Sequence, residues 1–283
     1  MDSMNFSLST QQVQFFNTFG YLGFPGLMLD RINEITEAFE AVWTERGGGH
    51  NGNPHDGTAR SCIVPFIDQN ADLSSLIDDP RILAIATTLL GQDFNYMGSD
   101  GNYYVGDTGW HSDGWHSAGK PKHLKLAFYL DPLKEDSGAL RVIPGSHLDG
   151  DNYAATLQNS VRNSPENWGI NGPEIPATIL ETQPGDLICF NHNTKHAAFG
   201  GSSKRRMFTI NLCQRYPADQ INDLRDYMAG GARFWIDRAY GPQMLATAGA
   251  QRKKHLEQVM ANDDHLAELS LQAKEKMDEP SRG

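Results

Sequence analysis

The feature that most restricts this chain's fold lies in its middle. Between residues 94 and 216 the short β-type runs FNYMGS, NYYVG, HLKLAFYLD, ALRVIPGS, ATILET, DLICFN and MFTINLCQR follow one another, with Gly, Asp, Asn and Pro at the joins. Seven short strands separated by turn residues argue for an antiparallel sandwich or barrel.

Helical patterning flanks this region. Residues 9–19 open on a Ser-Thr cap and carry Val13, Phe15 and Phe16 on one side, and Gly20 breaks the pattern before the short strand YLGF. Over 30–46, Ile32, Ile35, Phe39 and Val42 recur at helical spacing, and GGGHNGNPHDG then marks a loop. Pro80 opens a third helix, RILAIATTLLG, with Gly91 as its C-terminal cap. After Pro217 the pattern is helical again. The Asn- and Gly-rich stretch 148–176 is too long for a hairpin loop and reads as a lid. The expected organisation is one domain over 1–283: an N-terminal helical segment spanning 1–93, a β core 94–216 with the lid insertion 148–176, and a C-terminal helical segment spanning 217–283. Arg252, Lys253 and Lys254 read as a solvated helix face.

A formal charge of −11 repels phosphate backbones and anionic lipid, so neither nucleic acid nor membrane is expected as a partner. A local basic pocket for a small anion is still compatible, and Lys195, Lys204, Arg205 and Arg206 are candidates for it. Cys62, Cys189 and Cys213 are odd in number and form no C-x-x-C pair, which suits a reducing compartment. No basic-then-apolar leader opens the sequence and no apolar run reaches membrane-spanning length. A cytoplasmic monomer or homodimer acting on a small molecule is the expectation.

The chemistry concentrates in GWHSDGWH, which holds His111 and Asp113 at i and i+2. In a strand these two point to the same face, so an imidazole and a carboxylate can converge on one ion. His192 and His196 are candidates for a third ligand, with His196 favoured because it follows the DLICFN strand and leads through a Gly-Gly-Ser-Ser turn into the next; His147 reads as a turn residue. Two histidines and one carboxylate on one face of an octahedron leave open positions, the arrangement of non-haem iron(II) oxygenases. A bidentate 2-oxo acid fills two of them and dioxygen a third. The far carboxylate of that acid needs a fixed cation, and arginine provides a permanently charged fork.

Arg205 and Arg206 both qualify. If Arg205 faces the cavity, Met207, Thr209 and Asn211 do too, and Phe208, Ile210 and Leu212 pack on the other side; the opposite register buries Thr209 and Asn211 against helices. Arg205 is therefore preferred, with Thr209 a further cosubstrate contact.

The order W-H-x-D, then EDSGALRVIPGSH over 135–147, then QPGDLICFNHNTKH and RRMFTI, resembles the phytanoyl-CoA dioxygenase family of iron(II)- and 2-oxoglutarate-dependent oxygenases. The opening LSTQQVQFFNTFGYLGFPGL is similar to that family's N-terminal helix and strand. The resemblance implies a double-stranded β-helix, a cupin-like jelly roll, with His111, Asp113 and His196 as iron ligands and Arg205 as the 2-oxoglutarate clamp. It also implies oxidation of an unactivated carbon, with 2-oxoglutarate and O2 converted to succinate and CO2. Asn102 and Tyr104 fall on the strand where the family places polar contacts to the cosubstrate, and Tyr104, Trp115 and His116 are candidates for lining the substrate cavity. Asp113 argues against a halogenase, which needs the carboxylate ligand absent. A zinc hydrolase or a binding module on the same fold has no use for the arginine.

Overall fold

Among the described residues, 6–114 and 119–283 of a computed structural model, all strand ladders are antiparallel. The larger sheet has the order β1 (Tyr21–Phe24), β8 (Leu187–Asn191), β5 (His123–Tyr129), β10 (Arg205–Gln214), β3 (Phe94–Tyr104) and β2 (Ser61–Ile63). The smaller has the order β4 (Thr108–His111), β9 (His196–Ala198), β6 (Leu140–Val142) and β7 (Thr178–Leu180). Two antiparallel sheets with flanking helices form the jelly roll that the strand pattern predicts.

Side-chain alternation divides the larger sheet into two environments. Leu124, Leu126 and Phe128 of β5, Leu187 and Cys189 of β8, and Phe208, Ile210 and Leu212 of β10 join the main core with the helices. Their neighbours Ala127, Tyr129, Ile188 and Phe190 instead pack with Leu140 and Val142 of the smaller sheet. Each large apolar side chain fully buried in this way contributes about 1.5–3 kcal/mol. The helix side is held by Phe16 of α1 (Thr10–Phe19), by Ile35, Phe39, Val42 and Trp43 of α2 (Ile32–Glu45), by Leu73 of α3 (Ala71–Ser74) and by Ile82, Ile85 and Leu89 of α4 (Pro80–Leu90). Local chemistry starts these helices where the sequence indicates. Ser9 and Gln12 form a capping box on α1, and Asp79 caps α4 with Pro80 in its first turn.

Several expectations need correction. FNYMGS and NYYVG are one strand, because the Asp100-Gly101 join between them pairs with Thr209 and Phe208 of β10 instead of turning, and Gly101 leaves room for the Phe66 ring; a bulge near Gly98, at φ 104°, lies within the first run. The strands β2, β4 and β9 have three or four residues, too few to display alternation, and the sequence pattern does not distinguish them. The insertion 148–176 is not a plain loop. It forms α5 (Asn152–Ser160) and α6 (Ser164–Trp168), and its Leu157, Val161 and Ile175 pack on Trp110, Ile143, Ala197 and Phe199 of the smaller sheet and its loops. Near the C-terminus, Arg252 is buried and paired with Asp78, whereas Lys253 and Lys254 are exposed; only the lysines fit a solvated face. No helix of the described residues is long and apolar enough to cross a membrane.

The alternation in β10 has a measurable consequence. Phe208→Ala removes a ring stacked on Phe128 at 4.4 Å inside the main core and should cost about 3–5 kcal/mol in chemical denaturation. Met207→Ala, which opens onto the cavity, should cost clearly less; equal losses would contradict the assigned faces.

Candidate metal centre

His111 and His196 stand directly opposite each other across the β4–β9 pair, with ring centroids 4.1 Å apart. Each Nδ1 is occupied by a backbone carbonyl two residues upstream, Gly109 O at 2.8 Å and Thr194 O at 2.9 Å. That bond makes Nδ1 the protonated nitrogen and leaves Nε2 with its lone pair, the tautomer a metal requires. Burial, followed by the neighbouring His111 ring, pushes His196 down to about 3, so it is neutral at ordinary pH.

Asp113 completes the set from just beyond the end of β4, not from within a strand as the i, i+2 spacing implies. Its amide and that of Gly114 both donate to His192 O, at 2.8 and 3.1 Å, which turns the chain so that the carboxylate faces the two rings. Its oxygens lie 3.8 Å from His111 Nε2 and 3.6 Å from His196 Nε2. Burial opposes ionisation of Asp113, but Lys125 Nζ at 2.6 Å and the surrounding imidazoles hold its carboxyl well below the usual range. Candidate ligand atoms of His111, Asp113 and His196 all lie within 4.8 Å of one another, a donor set that fits a divalent cation with open positions. His192 is outside this set; its ring packs near His123 and Tyr227. His147 Nε2 donates to Asn17 O of α1, 3.2 Å away.

The three residues line a cavity of about 940 Å³. Arg205 lies in its wall and is 5% exposed, and its Nη1 and Nη2 donate to Gly138 O at 2.7 Å and Gly106 O at 2.6 Å. Its buried Nε has no hydrogen-bond partner among the described residues, and burial lowers the pKa of a guanidinium that pairs with no described carboxylate. Gly138 gives the SGAL motif a physical meaning. It sits at φ 91°, and a Cβ there would come within 2.1 Å of Arg205 Nη1.

Met207, Thr209 and Asn211 face the same cavity, while Arg206 lies on the other side, bonded to Asp131 and Glu40. Thr209 Oγ1 donates to Asp100, and Tyr104 lies beside both Arg60 and Arg205, 4.1 and 5.2 Å from ring centroid to guanidinium carbon. Asn102 is buried behind the wall, where its Oδ1 accepts from Arg60 Nε at 2.8 Å and its Nδ2 donates to Asp100 at 2.6 Å. Trp115 and His116 lie outside the described residues.

The expected basic cluster does not assemble. Lys204 sits over the Tyr103 ring on the helix side, Lys195 is buried against Ser112, and Arg206 is paired away. The cations that line the cavity with Arg205 are Arg60, Lys125, Arg162 and Arg233. Lys125 was legible in principle, as a lysine at an inward position of a strand whose other face is Leu124, Leu126 and Phe128. Arg60 offered no such signal.

The sequence matches the family described as phytanoyl-CoA dioxygenase (PhyH) over residues 16–208. No curated protein matches the sequence. Among solved structures, the 2-oxoglutarate-dependent carbocyclase SnoK of nogalamycin biosynthesis is similar with 22% identity and a TM-score of 0.57, over 73% of this chain and 84% of that one. EctD from S. alaskensis aligns with 21% identity and a TM-score of 0.57, over 74% and 79%. HygX from Streptomyces hygroscopicus, solved with nickel and 2-oxoglutarate, aligns with 15% identity and a TM-score of 0.56, over 74% and 88%. At these identities the structural likeness is one of fold.

A divalent metal at about a hundred times its dissociation constant adds about 2.7 kcal/mol to stability, an upward shift of about 5–10 °C for a chain of this size. Thermal melts with iron(II) under argon should give that shift in the native protein and none in His196→Ala. An undiminished shift in His196→Ala would place the metal elsewhere.

Proposed function

The chain belongs to the phytanoyl-CoA dioxygenase family, and from that premise we propose that it is an iron(II)- and 2-oxoglutarate-dependent oxygenase in which His111, Asp113 and His196 hold the metal and Arg205 holds the cosubstrate. The observation that carries this reading is the buried Arg205 guanidinium, which pairs with no described carboxylate and shares a cavity with a His-Asp-His donor set. A hydrolytic metal centre gives such an arginine no task, whereas a dicarboxylate cosubstrate does.

Bound at this centre, iron(II) with 2-oxoglutarate and dioxygen supplies oxidation of an unactivated carbon of a small molecule, with release of succinate and CO2. The chain's own residues bind, orient and exclude water. Arg205 receives the 5-carboxylate of the cosubstrate, with Thr209 beside it on the same face of β10 and Tyr104 opposite on β3. Lys125 engages one oxygen of Asp113 and fixes the orientation in which the carboxylate meets the metal. Asn102 acts from behind the wall by holding Arg60 and Asp100. Apolar walls from Ala127, Leu140 and Phe190 limit water around the reacting centre.

The insertion 148–176 serves as the substrate-side cover: Arg162 and Asn163 reach the cavity, and Trp110 Nε1 donates to Gly172 O at 2.8 Å. The chain works as one oxygenase domain over 1–283, because Phe16 near one end and Leu266 near the other share the main core. Its composition suits a cytoplasmic setting, acting as a monomer or homodimer without nucleic acid.

Removing one partner of a desolvated guanidinium–carboxylate pair costs on the order of 2–5 kcal/mol. At about 1.4 kcal/mol per decade, Arg205→Ala should weaken 2-oxoglutarate binding by roughly thirty-fold or more in anaerobic calorimetry, with metal binding retained. Arg206→Ala should leave that affinity within a few-fold. The reverse pattern would move the clamp, and no effect from either would remove 2-oxoglutarate from the account. Gly138→Ala should also weaken 2-oxoglutarate binding, since its Cβ displaces the Arg205 fork; unchanged affinity would mean that the fork is not the contact.

A further inference from the structure

Iron(II) and 2-oxoglutarate account for only a share of the charge in the cavity. Its lining carries Arg60, Lys125, Arg162, Arg205 and Arg233 against the carboxylates of Asp100 and Asp113, in a chain of formal charge −11. Two of the cations are matched within the wall, Lys125 by Asp113 at 2.6 Å and Arg60 by Asp100 at 3.5 Å. On the reading above Arg205 pairs with the 5-carboxylate of the cosubstrate, which leaves its other carboxylate against the two charges of the metal ion. Arg162 and Arg233 are then left over, and neither forms an ion pair with a described residue.

These two arginines come from separate segments that reach the same cavity. Arg162 sits on the short 3-10 turn Val161–Asn163 of the insertion, whose Val161 is buried against Trp110 and Leu157. Arg233 sits on the turn Gly230–Phe234, where Ala232 is buried and the Arg233 carbonyl accepts from Ser281 N at 2.8 Å. Both backbones are thus anchored while both side chains are exposed to solvent. A lone exposed arginine is ordinary and says nothing about ligands. Two on different segments, lining the cavity of the His-Asp-His donor set in an acidic protein and unmatched by acidic side chains among the described residues, leave a positive excess that an incoming anion would neutralise.

We propose that the substrate of this site carries an oxyanion, a carboxylate or a phosphate or sulfate group, received by Arg162 and Arg233 while its reacting carbon is directed toward the metal. Guanidinium forks bind such planar or tetrahedral oxyanions through paired charge-assisted hydrogen bonds. The inference rests on the cosubstrate reading only in assigning Arg205, so its test keeps the two apart.

Methyl phosphate and acetate serve as probes, titrated calorimetrically into protein loaded anaerobically with iron(II) and 2-oxoglutarate, at ionic strength held constant with sodium chloride. The native protein should bind one of them in the millimolar range, and the one preferred identifies a phosphoryl or a carboxylate substrate. The double variant Arg162→Gln, Arg233→Gln should weaken that binding at least tenfold, about 1.4 kcal/mol, and leave 2-oxoglutarate affinity within twofold. Both side chains are exposed and neither forms an ion pair with a described residue, so the variant should melt with the native protein. Arg205→Gln should keep the probe binding. Three results would each overturn the proposal: no binding of either probe to the native protein, unchanged binding in the double variant, or loss of the probe in Arg205→Gln. Failure of the native protein to bind 2-oxoglutarate counts against the cosubstrate reading, and the double variant's effect on the probe still decides this one.

Discussion

The site depends on a single cross-strand pair. His111 and His196 are partners in the β4–β9 ladder, so backbone hydrogen bonding itself brings two imidazoles to within 4.1 Å, centroid to centroid. Side chains paired across a ladder have Cβ atoms about 4.5–5.5 Å apart, and a register slip by one residue would send one ring to the opposite face. The rest of the fold protects that register. The insertion packs on Trp110 and Ala197, the outward neighbours of the two histidines, and the His192 carbonyl pins the turn that delivers Asp113.

A second constraint follows from the alternation of β10. Phe208, Ile210 and Leu212 bind the sheet to the helices, and the intervening residues Arg205, Met207, Thr209 and Asn211 are thereby committed to the cavity. The apolar core thus fixes the direction in which the guanidinium points. Close backbone approach does the rest, because Gly138 and Gly106 offer carbonyls to Arg205 at 2.7 and 2.6 Å where a Cβ on Gly138 would collide. The structure therefore sets a permanent cation in a dry wall with some of its hydrogen-bonding capacity unused, an arrangement that is costly unless an anion arrives.

What was legible in the sequence is what depends on local spacing. The H-x-D pair, the strand-like runs and the two faces of β10 are short-range patterns, and they led to His111, Asp113, His196 and Arg205 without the fold. Partners made across the structure were not legible. Lys125 meets Asp113 through a turn and a separate strand, and Arg60 reaches the cavity from an edge strand's approach because β2 pairs with β3. The short strands β2, β4 and β9 carry too little periodicity to be seen, and Asp100-Gly101 looked like a break because Asp-Gly is a turn pair, whereas here the glycine makes room for the Phe66 ring. Arg252 looked solvated because its partner Asp78 lies far away in the chain.

The most direct test is the visible spectrum of the anaerobic protein with iron(II) and 2-oxoglutarate added in either order. The account predicts one iron per chain and a weak charge-transfer band that requires both additions, because chelation of the 2-oxo acid at the His111, Asp113 and His196 centre creates the chromophore. Iron binding at that centre with no band at saturating 2-oxoglutarate would contradict it.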